Sequence, residues 1–262
     1  MQTPIRLICT DFDGTLHNEF ECPPVPRLLE EVIYKLQQSG AKWIINTGRD
    51  REGLLLCLNQ AHLKIKPDYL IVVEREIHCL QDNEYHEHHE WNEQCYTDQE
   101  ALFKRLRPHL PEAVSWIRSR FKAQIFEDDY SPFCLVARCN RDADIILDFI
   151  EKLFQHEPEL TVVRNDIYAR FSHKAYNKGT ALSEIRRLLN ITPEQTFAAG
   201  DHFNDLPMLD GQHARWVSAP DNAINEVKAL VRKQKGYVSH LPVGHGVAQG
   251  LIHFLESFSR TR

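Results

Sequence analysis

Asp11 and Asp13 flank Phe12 directly after the first apolar run of the chain, which contains Ile5, Leu7 and Ile8, and Gly14-Thr15 follow at once. Two carboxylates at the end of a strand repel each other and resist desolvation. Either a positive partner stands nearby, or the stretch is a plain Asp-Gly turn. The rest of the chain decides. Thr47-Gly48-Arg49 follows a second apolar run, Gly200-Asp201-His202-Phe203-Asn204-Asp205 follows another, and Lys178 opens a helical stretch between them. Three or four aspartates in one crevice suit a hard, oxygen-loving dication, above all Mg²⁺. One lysine, a hydroxyl and helix-start amides suit phosphate oxygens. A metal ion and Lys178 would offset the repulsion and leave Asp11 free to attack phosphorus.

These stations are far apart in sequence, so the fold has to bring them together. Residues 5–10 read as a buried strand. A helix follows from Pro26, with Leu28, Leu29, Val32, Ile33 and Leu36 in one apolar stripe and Ser39-Gly40 at its end. Strand 42–46, helix 52–59 and strand 69–73 complete a βαβαβ run, which implies a parallel sheet covered by helices. In such sheets the carboxyl ends of the strands line the ligand crevice. From 77 to about 172 the rhythm changes to α+β: IHCLQ pairs with EYHEHHEW, AQIFEDD with FCLVARC, and LTVVRND with IYARFSH through Asn165-Asp166. One helix is expected from near Asp98 and another over 142–156, while 114–121 fits either helix or strand. Helix 178–190, a strand over 196–199 and a helix from Ala223 restore the first rhythm. The expectation is a two-domain α/β protein, with a core of 1–78 and 173–262 and an inserted α+β domain of 79–172.

Composition excludes several other classes. The 262 residues are 42% hydrophobic and 26% charged, as in an ordinary water-soluble globular chain. A net charge of −6 argues against a nucleic-acid or anionic-membrane surface. No apolar run approaches the roughly 20 residues of a membrane span. The opening MQTPIRLICTDFDG lacks the layout of a signal peptide. Seven scattered cysteines without a CxxC pair suggest reduced thiols, so a cytoplasmic location is expected. No protein partner is implied.

DFDGTL at 11–16, NTGR at 46–49, NKGTAL at 177–182 and GDHFNDLPML at 200–209 resemble, as an ordered set, the four motifs of the haloacid dehalogenase superfamily of phosphatases. The long insertion between the second and third motifs resembles the Cof-type branch with its α+β C2B cap, and the tail YVSHLPVGHGVAQGLIHFL is similar to that branch's closing segment. The resemblance implies a Rossmann-like core and Mg²⁺-dependent hydrolysis of a small phosphorylated metabolite such as a sugar phosphate. It implies Asp11 as nucleophile forming a phosphoaspartyl intermediate, and Asp13 as acid for the leaving oxygen and then base for water. Mg²⁺ would be held by Asp11, Asp201 and the Asp13 carbonyl, with Asp205 holding a metal-bound water or Lys178. Thr47, Gly48, Asn204 and Lys178 would meet the phosphoryl group, and Arg49 either joins them or makes a structural ion pair. A phosphotransferase or mutase of the same superfamily is the alternative, and a phospho-acceptor or ligand-binding switch another.

The chain departs from the pattern at Val73-Glu74-Arg75-Glu76, where Cof-type proteins often carry Asn-Gly, and at Asn177 and His202; none removes a catalytic group, but the first bears on the cap hinge and all three on substrate choice. Among His86, His88 and His89, alternation puts His86 and His88 on one strand face with Glu84 and Glu90; with no further ligand set, that face reads as solvated. Arg118, Arg120 and Lys122 read as exposed.

Overall fold

The computed structural model describes residues 4–260, and among these the chain forms two compact units, one of residues up to His89 with those from Lys178 onward, the other Glu90–Asn177. The first begins with β1 (Leu7–Thr10), α1 (Arg27–Gln38), β2 (Lys42–Asn46), α2 (Arg51–Ala61) and β3 (Tyr69–Val72), then the hairpin of β4 (Glu76–Gln81) and β5 (Glu84–Glu87). In the second lie α3 (His89–Leu106, whose first residue belongs to the first unit), α4 (Leu110–Arg118), β6 (Gln124–Asp128), β7 (Ser131–Val136), α5 (Asn140–Leu153), β8 (Leu160–Asn165) and β9 (Tyr168–His173). The chain returns to the first unit with α6 (Lys178–Leu189), β10 (Thr196–Ala199), β11 (Trp216–Ala219), α7 (Asn225–Lys233), β12 (Tyr237–Val238) and α8 (Val243–Arg260).

Strand order in the first unit is β12-β11-β10-β1-β2-β3-β4-β5. The pairs from β12 to β3 are parallel, and β4 and β5 continue the sheet antiparallel. All four residues of β1 are buried, as helices covering both faces of a parallel sheet require. Leu29, Ile33 and Leu36 form the inward stripe of α1, spaced by four and three residues. Because β1 lies between β10 and β2 and pairs parallel with both, the segments that follow these three strands emerge side by side at the carboxyl end of the strands.

The second unit has its own four-stranded antiparallel sheet, β6-β7-β9-β8, and its own core. Leu102 and Leu106 of α3, Ala113 and Ile117 of α4 and Ile146 and Ile150 of α5 pack with Phe133, Leu135, Ala169 and Phe171 from the sheet. Phe133 and Phe171 stack with centroids 4.6 Å apart.

The structure differs from the sequence expectation in several places. The β4–β5 hairpin, expected within the insertion at 79–172, joins the sheet of the first unit. Only residues 73–75 separate β3 from β4, and so short a link forces antiparallel pairing with β3. Asp82 and Asn83, with φ of 47° and 72°, make the tight two-residue turn of the hairpin. The compact units divide at 89/90 and 177/178, against the expected 78/79 and 172/173, and the hairpin's pairing with β3 accounts for the first of these differences. β5 ends at Glu87 and His89 opens α3, while His88 Nε2 lies 3.6 Å from Glu184 Oε1, so His86 and His88 do not share one strand face. Residues 114–121 are largely helical, and Arg118, Arg120 and Lys122 are exposed. β11, β12 and α8 had no reading as elements.

Candidate active site

Asp11 continues β1, and its N–H donates to the Ala199 carbonyl at 2.9 Å, which ties it to the end of β10. Phe12 and Leu16 are fully buried and anchor the loop that follows. Gly14 has φ +76°, and a Cβ there would lie 2.7 Å from Asp201 Oδ2, so a side chain at this position would meet both backbone strain and a carboxylate. The absence of one lets the loop approach the β10 end closely enough for Thr15 Oγ1 to donate to Asp201 Oδ1 at 2.6 Å.

Lys178 begins α6 and has no exposed surface. Its Nζ donates to Asp11 Oδ1 and to Asp205 Oδ1, both at 2.6 Å. Asp205, also fully buried, ends the short turn Phe203–Asp205, and its Oδ2 accepts the N–H groups of Asp201 and His202 at 2.8 and 2.9 Å. Both Asp205 oxygens are therefore engaged in positioning the lysine and the loop. Asn46 Nδ2 donates to the Lys178 carbonyl at 2.9 Å, fixing the start of α6 against the end of β2.

Electrostatics set this cluster apart. Asp11, Asp201 and Asp205 can each offer a ligand oxygen within 4.8 Å of one another. Burial, then the Asp205 charge, push the Asp11 carboxyl well above the usual carboxylate range, with Lys178 opposing. Burial and Asp205 push Asp201 to about 7, although the Thr15 hydroxyl favours its ionised form. Burial alone would lower Lys178, but the carboxylates of Asp11, Asp205 and Glu74 outweigh it and hold the ammonium above its ordinary value. One cation among three aspartates leaves excess negative charge in a dry site. The donors are hard oxygens, and the raised proton affinity of Asp11 and Asp201 reflects that excess. Mg²⁺ fits both features.

The other predicted residues divide into two contacts. Arg49 Nε and Nη2 donate to Asp13 Oδ2 and Oδ1 at 2.6 and 2.8 Å, a two-pronged pair that raises the arginine's pKa, and Nη1 reaches Cys57 Sγ at 3.2 Å. The Arg49 side chain thus lies on Asp13, and the Asp13 side chain lies outside the aspartate group. Thr47, almost fully buried, accepts the Arg49 N–H on its hydroxyl at 3.2 Å. Asn204 Nδ2 donates to Glu74 Oε1 at 2.9 Å, and that same oxygen lies against Gly48. Thr15 and Asn46 have no role legible in the sequence, and Glu74 has one only through the departure that bears on the cap hinge and substrate choice. Thr15 lies within DFDGTL and Asn46 within NTGR, which is the signal that marks both.

A match to the haloacid dehalogenase-like hydrolase family spans residues 72–250, and the chain belongs to that family. Phosphatase YwpJ of Bacillus subtilis is 24% identical over 296 aligned positions, covering 96% of this chain and all of that one. Among solved structures, the sucrose-phosphatase of Synechocystis sp. PCC6803 in complex with sucrose and phosphate has the same fold, with a TM-score of 0.74 at 18% identity, covering 95% of this chain and 97% of that one. A haloacid dehalogenase-like hydrolase from B. subtilis gives a TM-score of 0.64 at 23% identity, covering 95% and 99%.

Proposed function

We propose that this hydrolase is a Mg²⁺-dependent phosphatase that cleaves a small phosphorylated metabolite, a sugar phosphate in the first instance, through a phosphoaspartyl intermediate on Asp11. The observation that carries the reading is Lys178, buried and bonded at once to Asp11 and Asp205, with Asp201 beside them. The phosphatase relative supports the reaction class. The fold neighbour that is a sucrose-phosphatase bound to sucrose and phosphate is compatible with a phosphorylated sugar.

Asp11 and Asp201 would hold the metal through their carboxylates and Asp13 through its backbone carbonyl, with Asp205 fixing Lys178. Bound there, Mg²⁺ would neutralise charge on the phosphoryl oxygens. Asp11 attacks phosphorus, and Lys178 orients it and spreads the negative charge of the transferring group. The Thr47 hydroxyl, the Gly48 amide and the Asn204 amide bind phosphoryl oxygens. Asp13 protonates the leaving oxygen, then takes a proton from the water that releases phosphate from Asp11. For that, Asp13 must exchange its pair with Arg49 for the substrate, and Arg49 serves to hold it ready rather than to bind phosphate. We infer that Glu90–Asn177 acts as a cap that selects the substrate, and that the protein works in the cytoplasm. Among the described residues no helix is long and apolar enough to cross a membrane.

The test is a phosphate-release screen over phosphosugars, nucleotides and cofactor phosphates, with Mg²⁺ and with EDTA. Turnover that needs Mg²⁺ and is lost in Asp11→Asn is expected. Silence across the panel, or hydrolysis unaffected by Asp11→Asn, would overturn the reading.

A further inference from the structure

Glu74 follows β3 in a turn where Val73 and Glu74 have φ of 44° and 68°. Left-handed backbone is unfavourable for any side chain and most of all for a β-branched one, so something must hold these residues there. The Val73 N–H donates to the Arg49 carbonyl at 2.8 Å and the Glu74 N–H to the Thr47 carbonyl at 2.9 Å. The turn is thereby clamped onto the segment that carries Thr47 and Gly48. Glu74 is only 5% exposed. Its Oε1 accepts from Asn204 Nδ2 at 2.9 Å and lies 3.2 Å from the point that a Cβ on Gly48 would occupy. Its charge is also felt at Lys178. The carboxylate therefore accepts from one group given to phosphoryl oxygens, the Asn204 amide, lies beside the residue that carries another, Gly48, and adds negative charge where an anion has to bind.

We propose that Glu74 is a specificity-determining residue that sets the charge selectivity of the phosphoryl site, weakening the hold on doubly charged phosphate groups, the inorganic phosphate product included. This rests on the phosphatase reading of the site. With Glu74 in place the phosphoryl group alone is held loosely, so contacts to the rest of the substrate must supply the affinity. Released phosphate, which has no such contacts, departs readily. The reasoning is Coulombic: a buried like charge next to a bound dianion weakens it more than it weakens a monoanion.

Calorimetric titration of the full chain in Mg²⁺ buffer at about pH 8, with inorganic phosphate and with dimethyl phosphate as the monoanionic comparison, tests this. Glu74→Gln keeps an acceptor for Asn204 and removes the charge, whereas Glu74→Gly removes the side chain and suits the left-handed backbone, so that one of the two should fold normally. Both should bind inorganic phosphate about tenfold more tightly than the wild type, with a smaller gain for dimethyl phosphate. Unchanged or weaker phosphate binding in both would overturn the proposal, and an equal gain for the two anions would replace it with relief of crowding. Lys178→Met in the same titration, shown to be folded by circular dichroism at the titration temperature, separates the two layers. Lost phosphate binding there with unchanged Glu74 variants overturns only the role of Glu74, whereas no phosphate binding by wild type or any variant overturns both.

Discussion

Lys178 Nζ lies 2.6 Å from Asp11 Oδ1, a contact between residues 167 positions apart, and the same nitrogen lies 2.6 Å from Asp205 Oδ1. An ammonium with no exposed surface, held by two carboxylates, is costly to build. Removing one partner from a buried charge cluster is costlier still, because the remaining charges keep their desolvation penalty.

Lys178→Met should therefore fail twice. Phosphatase turnover should fall by several orders of magnitude, since the charge that balances Asp11 is gone. Stability should drop by ~3–5 kcal/mol, because Asp11 and Asp205 are left facing each other without a cation. Urea denaturation monitored by circular dichroism, run beside the activity assay, checks both. Stability within about 1 kcal/mol of wild type would show that the cluster is not bound by this charge.

Asp201→Asn separates metal from fold. Asn can still accept from Thr15 at the position of Oδ1, so the loop contact survives while one anionic ligand is lost. Melting of the variant should no longer respond to millimolar Mg²⁺, and turnover should be abolished or severely reduced. A melting shift equal to that of the wild type would remove Asp201 from the metal site.

The raised Asp201 pKa gives a pH dependence with a definite sign. Its ordinary value is 3.8 and its folded value about 7, so between these the native state binds a proton that the unfolded state does not. In the metal-free protein this group's contribution to stability falls as pH rises across that window. The direction at Asp11, also raised by burial, is the same. Mg²⁺ competes with those protons, so its stabilising effect should be larger at about pH 8 than at about pH 5.5. Thermal melts with and without Mg²⁺ at the two pH values measure the difference, and a larger shift at the lower pH would contradict it.

Asp11 and Asp13 should fail differently. Asp11→Asn should leave no phosphorylated enzyme with any substrate. Asp13→Asn should slow a sugar ester, whose leaving oxygen needs a proton, far more than an aryl ester. With the aryl ester it should accumulate phosphoaspartate, because the base for water is missing. Acid quenching and mass spectrometry of the peptide holding residue 11 is the readout. Equal slowing of the two esters, or phosphate elsewhere, would mean that the roles are misassigned.

Gly14→Ala tests the approach of the first loop to Asp201. With φ at +76° and a Cβ 2.7 Å from Asp201 Oδ2, the substitution should cost stability on the order of 1–3 kcal/mol and weaken the response to Mg²⁺. Denaturant melts with and without the metal report both. An unchanged response would detach the loop from the site.

By itself the sequence determined the reaction class and most of the layered fold, because both are written locally. Apolar runs of strand length alternate with 3.6-period stripes such as Leu29, Ile33 and Leu36, and that alternation specifies a parallel sheet covered by helices. Polar residues directly after three of those runs have to share one end of the sheet, so Asp11, Thr47 and Asp201 could be grouped before any coordinates. The tertiary structure decided what pairing at a distance decides. Whether β4 and β5 extend the first sheet depends on a partner strand and a three-residue link, and hydrophobic pattern carries neither. β11, only four residues long, is recognisable only beside β10. Arg49 could equally reach a phosphate or a carboxylate on residue type alone, and only geometry put it on Asp13. Glu74 stood in the sequence as an unexplained departure, and its meaning came from the strained turn that aims its carboxylate at Asn204 and Gly48. Side-chain direction is set by long-range packing, and no local pattern encodes it.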